Sequence, residues 1–188
     1  MFGQIFPQEE SFMDRLELQR PTAAHEAAVL EYRAEMLKHH QSFDGCAGLE
    51  DAPDYAQWLD TERWLKARYG AGYSPSTIWL AIRRCDGRLV GMLDYRHLLT
   101  DFLLRYGGNI GYSIRPGERR KGYAKEMLHL ALGECKAMGA KKVLLTCDSD
   151  NAASQKVILS QGGCLENAVT DESGLGNSGI ILRYWISL

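Results

Sequence analysis

The six residues Arg119 to Ala124, Arg-Arg-Lys-Gly-Tyr-Ala, set three adjacent cations and a glycine where an extended segment gives way to a helical one. A strand that delivers such a turn onto a helix start presents free backbone N–H groups and the positive end of the helix dipole, which suits an anion. A pyrophosphate fits this chemistry. Gly122 has no Cβ to hold the backbone away from phosphate oxygens, and Ala124 is small enough for the first helical turn to come close. The same run also reads as a solvated charge cluster at a turn. Neither the GxGxxG dinucleotide pattern nor the GxxxxGK[ST] phosphate loop occurs at this turn, so the common nucleotide folds do not compete for it. Other reactive residues are less promising. Cys135 and Cys147 fall in apolar patterns and read as small core residues. His39-His40 has no third ligand at metal spacing, so no metal is expected.

Elements are needed to hold the turn. Leu16 and Leu18 alternate with Glu17 and Gln19 as a short strand, and Thr22 then caps a helix from about Ala23 to Lys38, with Val29, Tyr32 and Met36 on one face. Trp58, Leu65 and Tyr69 repeat that spacing in a second helix from about Asp54 to Tyr69. The aromatic and acidic stretch Tyr55 to Tyr69 reads as packing. Thr77 to Arg83 alternates as a strand, and Asp86-Gly87 predicts a two-residue type I′ hairpin into a strand from Arg88 to Leu98. Ile110, Tyr112 and Ile114 share one face of a strand that Pro116 closes. Ala124, Met127, Leu128, Ala131, Leu132 and Cys135 form the apolar stripe of a helix whose outer face carries Lys125, Glu126 and Glu134, with Gly139 as its stop. A strand over 142–147, a helix capped by Asp150 or Asn151, and an antiparallel pair over 164–169 and 179–187 complete the order β, α, α, β, β, β, α, β, α, β, β. The unit from 109 to 147 predicts one parallel pairing with a right-handed crossover in a largely antiparallel sheet.

The chain has 188 residues, enough for one domain with a substantial core, and we expect a single domain over 1–188 with 1–13 as a flexible extension. Its 22 basic and 24 acidic residues give a net charge of −2, which provides no global field for nucleic acid or an anionic membrane. Five dispersed cysteines without a CxxC pair point to a reducing compartment. The acidic N-terminus and the lack of an apolar run of ~18 residues predict a cytoplasmic, non-membrane protein.

Arg119-x-x-Gly122-x-Ala124 resembles the acetyl-CoA signature Q/R-x-x-G-x-G/A of the GNAT N-acetyltransferase superfamily. Ile110-Gly-Tyr-Ser-Ile114-Arg-Pro116 looks like the strand that leads into that signature, and Asn151-Ala-Ala-Ser154 followed by Gly162-Gly163 is similar to the family's next helix. The resemblance spans residues 109–163. It implies a mixed α/β (α+β) GNAT fold: a mostly antiparallel sheet, one splayed parallel strand pair and flanking helices.

The resemblance further implies that the amides of Arg119, Arg120, Lys121, Gly122, Tyr123 and Ala124 hold the pyrophosphate of acetyl-CoA. The main chain of Ser113, Ile114 and Arg115 would pair with pantetheine, one of those N–H groups polarising the thioester carbonyl. Asn151 and Ser154 would flank the pantetheine arm. Acetyl transfer needs a neutral amine, whereas a lysine-like ammonium has a pKa of about 10.4, so a base or a water chain is expected to help. His97, Asp94, Tyr112 and Asn109 are the candidates, with His97 preferred because its ordinary pKa of about 6.5 makes it a usable base. Asp94 and His97 should face opposite sides of their strand. The family's thiolate-protonating tyrosine, seven residues after Asn151, is replaced by Ile158, and Tyr112, Tyr123 or Tyr184 are the substitutes on offer. The aromatic residue that often follows the helix-ending glycine is replaced by Gly163. The expected activity is acetyl transfer to a primary amine, preferably of a small molecule, by a chain that the family allows to be a homodimer. The alternatives are a catalytically silent acyl-CoA-binding module and a basic-turn nucleic-acid binder, which the net charge disfavours.

Overall fold

A computed structural model describes residues 14–68, 73–174 and 178–188. The expected N-terminal extension and Tyr69 lie outside them. The elements are β1 (Leu16–Gln19), α1 (Glu26–Lys38), α2 (Tyr55–Leu59), α3 (Thr61–Ala67), β2 (Ser76–Arg83), β3 (Leu89–Arg96), β4 (Ile110–Ile114), α4 (Tyr123–Ala137), β5 (Lys142–Asp148), α5 (Ala152–Ser160), β6 (Cys164–Thr170) and β7 (Ile180–Ser187). The expected second helix is therefore two, broken at Asp60, and its first part starts on Asp54, whose side chain caps the Gln57 N–H at 2.9 Å. No helix among the described residues is long and apolar enough to cross a membrane.

Strands β1-β2-β3-β4 form one antiparallel sheet and β5-β7-β6 a second. The strand period of two sends Trp79, Ala81, Leu93, Tyr95, Ile110 and Ile114 to one face, where they bury Met127, Leu128, Ala131 and Cys135 of α4. Ile78, Leu80, Ile82 and Met92 face the other way and cover Val29, Tyr32 and Met36 of α1 with Trp58 of α2. Because β2 and β3 are covered on both faces, they read as nearly unbroken apolar runs.

The structure changes three expectations. Strands β4 and β5 do not form a parallel ladder; they touch where β4 begins and separate, so the sheet splits in two. The Asp86-Gly87 turn is wider than a type I′ hairpin, spanning 84–88 with only Gly87 at positive φ, +70°. Arg83 holds both Asp86 carboxylate oxygens, at 2.9 and 2.6 Å, and fixes the wider loop. Glu126 is buried, not on the outer face of α4, because its Oε1 accepts the Arg15 and Leu16 backbone N–H groups at 2.6 and 2.8 Å and so secures β1.

Candidate active site

The cleft between the two sheets is pinned at its closed end by Asn109. Its backbone N–H donates to Leu144 O (2.6 Å), its Oδ1 accepts from Leu144 N (2.8 Å) and its Nδ2 donates to Arg96 O (2.9 Å). One side chain thus ties β3, β4 and β5 together just before they part. On β4, Arg115 N donates to Val90 O and Asn109 O accepts from Arg96 N. In an antiparallel ladder the bonded residues alternate, so Asn109, Gly111, Ser113 and Arg115 bond to β3, while Ile110, Tyr112 and Ile114 turn their N–H and C=O groups to the open edge. Of the three amides expected to meet pantetheine, only that of Ile114 faces the cleft.

The side chains of Ser113 and Arg115 point to α1. The Ser113 hydroxyl donates to Asp44 O (2.7 Å) and accepts from the Tyr32 hydroxyl (3.0 Å). Arg115 is buried and paired with Glu31 and Glu35 of α1. Both hold the α1 layer on the sheet.

At the other end of β4 the chain turns through Pro116–Glu118 and reaches α4 with Arg120 at φ +61° and Gly122 at φ +85°. The α4 N-terminus has no side-chain cap, and among the described residues the amides from Arg120 to Lys125 have no hydrogen-bond partner. Such a run at the positive end of a fifteen-residue helix is an anion receptor. The side chains of this turn are partly committed. Arg119 Nε donates to Ile114 O (3.0 Å) and Lys121 pairs with Glu118 (2.9 Å), while Arg120 is exposed.

Across the cleft the Tyr112 hydroxyl meets the Ser154 hydroxyl of α5 at 2.9 Å. Burial pushes the Tyr112 pKa up to about 12, so at neutral pH it is a protonated hydrogen-bond donor. Cys147 lies beside Ser154, and burial raises its thiol to about 11, which keeps it protonated. Asn151 caps α5, its Oδ1 accepting the Ser154 N–H at 3.0 Å. Ile158 packs in the core, and Gly162 at φ +82° closes α5 with Gly163 N–H bonding to Ile158 O. A Cβ on Gly163 would fall 2.5 Å from Ile158 Cγ2, so Ile158 and Gly163 fit as a pair. Of the three substitute tyrosines, Tyr123 is held by Arg83 and Tyr184 is buried in the main core, which leaves Tyr112 at the cleft.

His97 is not brought to the cleft. It bonds through Nε2 to Thr77 on β2 (2.9 Å) and stacks on Tyr95, and partial burial lowers its pKa. Asp94 lies on the opposite, α1-facing side, buried beneath Gly111 with its Oδ2 on Arg96 Nε at 3.0 Å. Above it the loop 40–50 presses onto β4. A Cβ on Gly45, at φ +79°, would sit 2.4 Å from Gly111 O. That loop, with Asp44 and Glu50, was not singled out from the sequence; Asp44-Gly45 was its one turn signal.

The family model described as "Acetyltransferase (GNAT) domain" matches residues 15–163. The chain belongs to this family and is a GNAT acetyltransferase. Among solved structures it resembles a ribosomal L7/L12 alpha-N-protein acetyltransferase in complex with coenzyme A (17% identity, TM-score 0.68, covering 93% of this chain and 95% of that one). It also resembles the ribosomal-protein-S5-alanine acetyltransferase of Vibrio fischeri (13%, TM-score 0.68, 93% of each chain). A third similar structure is the microcin C7 self-immunity acetyltransferase with acetyl-CoA and AMP (16%, TM-score 0.61, 94% of each chain). At these identities the shared feature is the fold. No curated protein matches the chain.

Proposed function

We propose that the chain transfers the acetyl group of acetyl-CoA directly to a primary amine, without an acetylated enzyme intermediate. The run of unpartnered amides from Arg120 to Lys125 carries this reading, because it offers a pyrophosphate the donors it needs at the mouth of a cleft lined by a free strand edge. The pantetheine arm lies along Tyr112 and Ile114, and the Ile114 N–H polarises the thioester carbonyl. The neutral amine nitrogen attacks the carbonyl carbon, the C–S bond breaks, and the departing thiolate takes the Tyr112 hydroxyl proton. Tyr112 regains a proton from solvent, and the nitrogen gives its excess proton to water. Ser154 orients the phenol, and Asn151 acts by capping α5.

For the acceptor, two of the similar structures are named as acetyltransferases of ribosomal proteins. This favours the N-terminal amine of a polypeptide over the free small molecule expected from the sequence. The test is thiol release from acetyl-CoA with short peptides bearing free N-termini and with small amines. Release with peptides and none with their N-acetylated forms supports the reading; release with small amines alone restores the small-molecule acceptor. A silent acyl-CoA-binding module is the second reading, favoured by Ile158 in the core, and it predicts acetyl-CoA binding without release on any amine.

Tyr112→Phe separates these roles. Loss of a positioned acid costs about 10²-fold in kcat, while acetyl-CoA affinity measured by calorimetry stays within about threefold. An unchanged kcat would remove Tyr112 from the proton path. His97→Ala is expected to keep kcat/KM within about threefold, since its ring is engaged on β2; a loss of 10²-fold or more would restore it as the base.

A further inference from the structure

On the α1 side of β4 the loop from His40 to Glu50 and the Arg96 side chain enclose an open pocket of about 620 Å³. Asp44 and Glu50 line it. Beneath it, Asp94 has a side chain only 6% exposed, and its Oδ1 has no hydrogen-bond partner and faces the gap between Gly111 and Gly45. Glu50 Oε2 is likewise buried and unpartnered. Asp44 and Glu50 stand in the pocket wall and Asp94 beneath it, and Gly45 of the same wall packs on the β4 backbone, where a Cβ would fall 2.7 Å from Tyr112 Cα. Two cations face this group. Arg96 is engaged with Asp94 and with Gly107 O (2.7 Å), and Arg33 donates to the Glu50 backbone carbonyl at 2.7 Å. Burial raises both Glu50 and Asp94, against the opposing pull of Arg33 and Arg96.

We propose that this pocket selects acceptors carrying a second positive charge beside the amine to be acetylated, with Glu50 and Asp44 holding the spare cation while the reacting amine continues toward Tyr112. Two buried carboxylate oxygens without donors, one in the pocket wall and one beneath it, are the complement of an added cation. The chemistry is shared by a peptide N-terminus followed by a basic residue and by a small diamine. The inference rests on the proposed acetyl transfer.

Thiol release is measured with peptides that differ only in Lys, Gln or Glu at the second position, and with 1,4-diaminobutane against butylamine. The dicationic member of at least one series is expected to have a KM about tenfold below its neutral or acidic counterpart, a gap that narrows in high salt. The responding series identifies the source. Glu50→Gln and Asp44→Asn are expected each to reduce the preference, whereas Glu134→Gln on the exposed face of α4 keeps it. Thermal stabilisation by acetyl-CoA is recorded for every variant to establish a folded chain with an intact donor site. Equal KM values across the charge series, or a preference that survives both pocket variants, overturn the proposal. Acetyl-CoA binding without turnover on any amine overturns it together with the proposed transfer, and loss of acetyl-CoA binding in the parent identifies the donor site as the part that failed.

Discussion

A Gly122→Glu variant is expected to lose the thermal stabilisation that acetyl-CoA gives the parent. Ligand at about 100 times its dissociation constant stabilises the parent by about 2.7 kcal/mol, a rise of roughly 5–10 °C for a chain of this size. In the variant a carboxylate stands beside the amides from Arg120 to Lys125, where the pyrophosphate is to bind. Two like charges about 4 Å apart repel by about 4 kcal/mol at the effective dielectric of a protein surface, enough to cancel the stabilisation and to weaken binding by 10² or more. The substitution also forces a side chain into the left-handed conformation, φ +85°, at about 1–2 kcal/mol. Gly122→Asn is the control, because asparagine tolerates that conformation and brings no charge. The expected pattern is a shift in the parent, most of it kept in the asparagine variant and none in the glutamate variant. A glutamate variant that acetyl-CoA stabilises as well as the parent would sink the assignment of this turn.

Asn109→Ala is expected to cost more stability than any surface substitution. The side chain is 6% exposed, and its removal leaves the Leu144 N–H and the Arg96 carbonyl without partners where β4 and β5 diverge. A buried polar group left unpaired costs about 1–3 kcal/mol, so two cost about 2–6 kcal/mol, a fall in Tm of roughly 4–24 °C. Because the same residue sets the angle of the cleft, acetyl-CoA affinity falls with it. Asn109→Asp keeps an acceptor for Leu144 N–H but turns a carboxylate toward the Arg96 carbonyl, and it is expected to be destabilised as well. Urea midpoints of the two variants measure this. A loss below about 1 kcal/mol in the alanine variant would mean that backbone pairing alone holds the vertex.

The uncapped turn before α4 was legible because its determinants are local. Arg120 and Gly122 reach positive φ, and α4 starts uncapped, within six residues of continuous sequence. The apolar stripe of α4 and the alternation of β4 were legible for the same reason, each being a period that one element imposes on its own residues. Glu126 shows where this fails. Its position on the helix wheel predicted solvent, and only the docking of β1, some 110 residues earlier in the chain, turned it into a buried acceptor for two backbone N–H groups. The same holds for Ser113 and Arg115, whose main chain was expected to meet the cofactor but faces β3, and whose side chains find α1 partners 81 and 84 residues away.

By itself, then, the sequence determined most of the elements, their order and the glycine-bearing turn at the start of α4, since helix and strand periods and a glycine-bearing helix start are written in neighbouring residues. Tertiary structure decided that β4 and β5 part after one point of contact and which β4 amides face the cleft. It also brought Tyr112 to Ser154 and set Asp44 and Glu50 in one pocket wall above the buried Asp94. These depend on strand register and on how layers close over one another, so the residues that meet are far apart along the chain and no local pattern marks them.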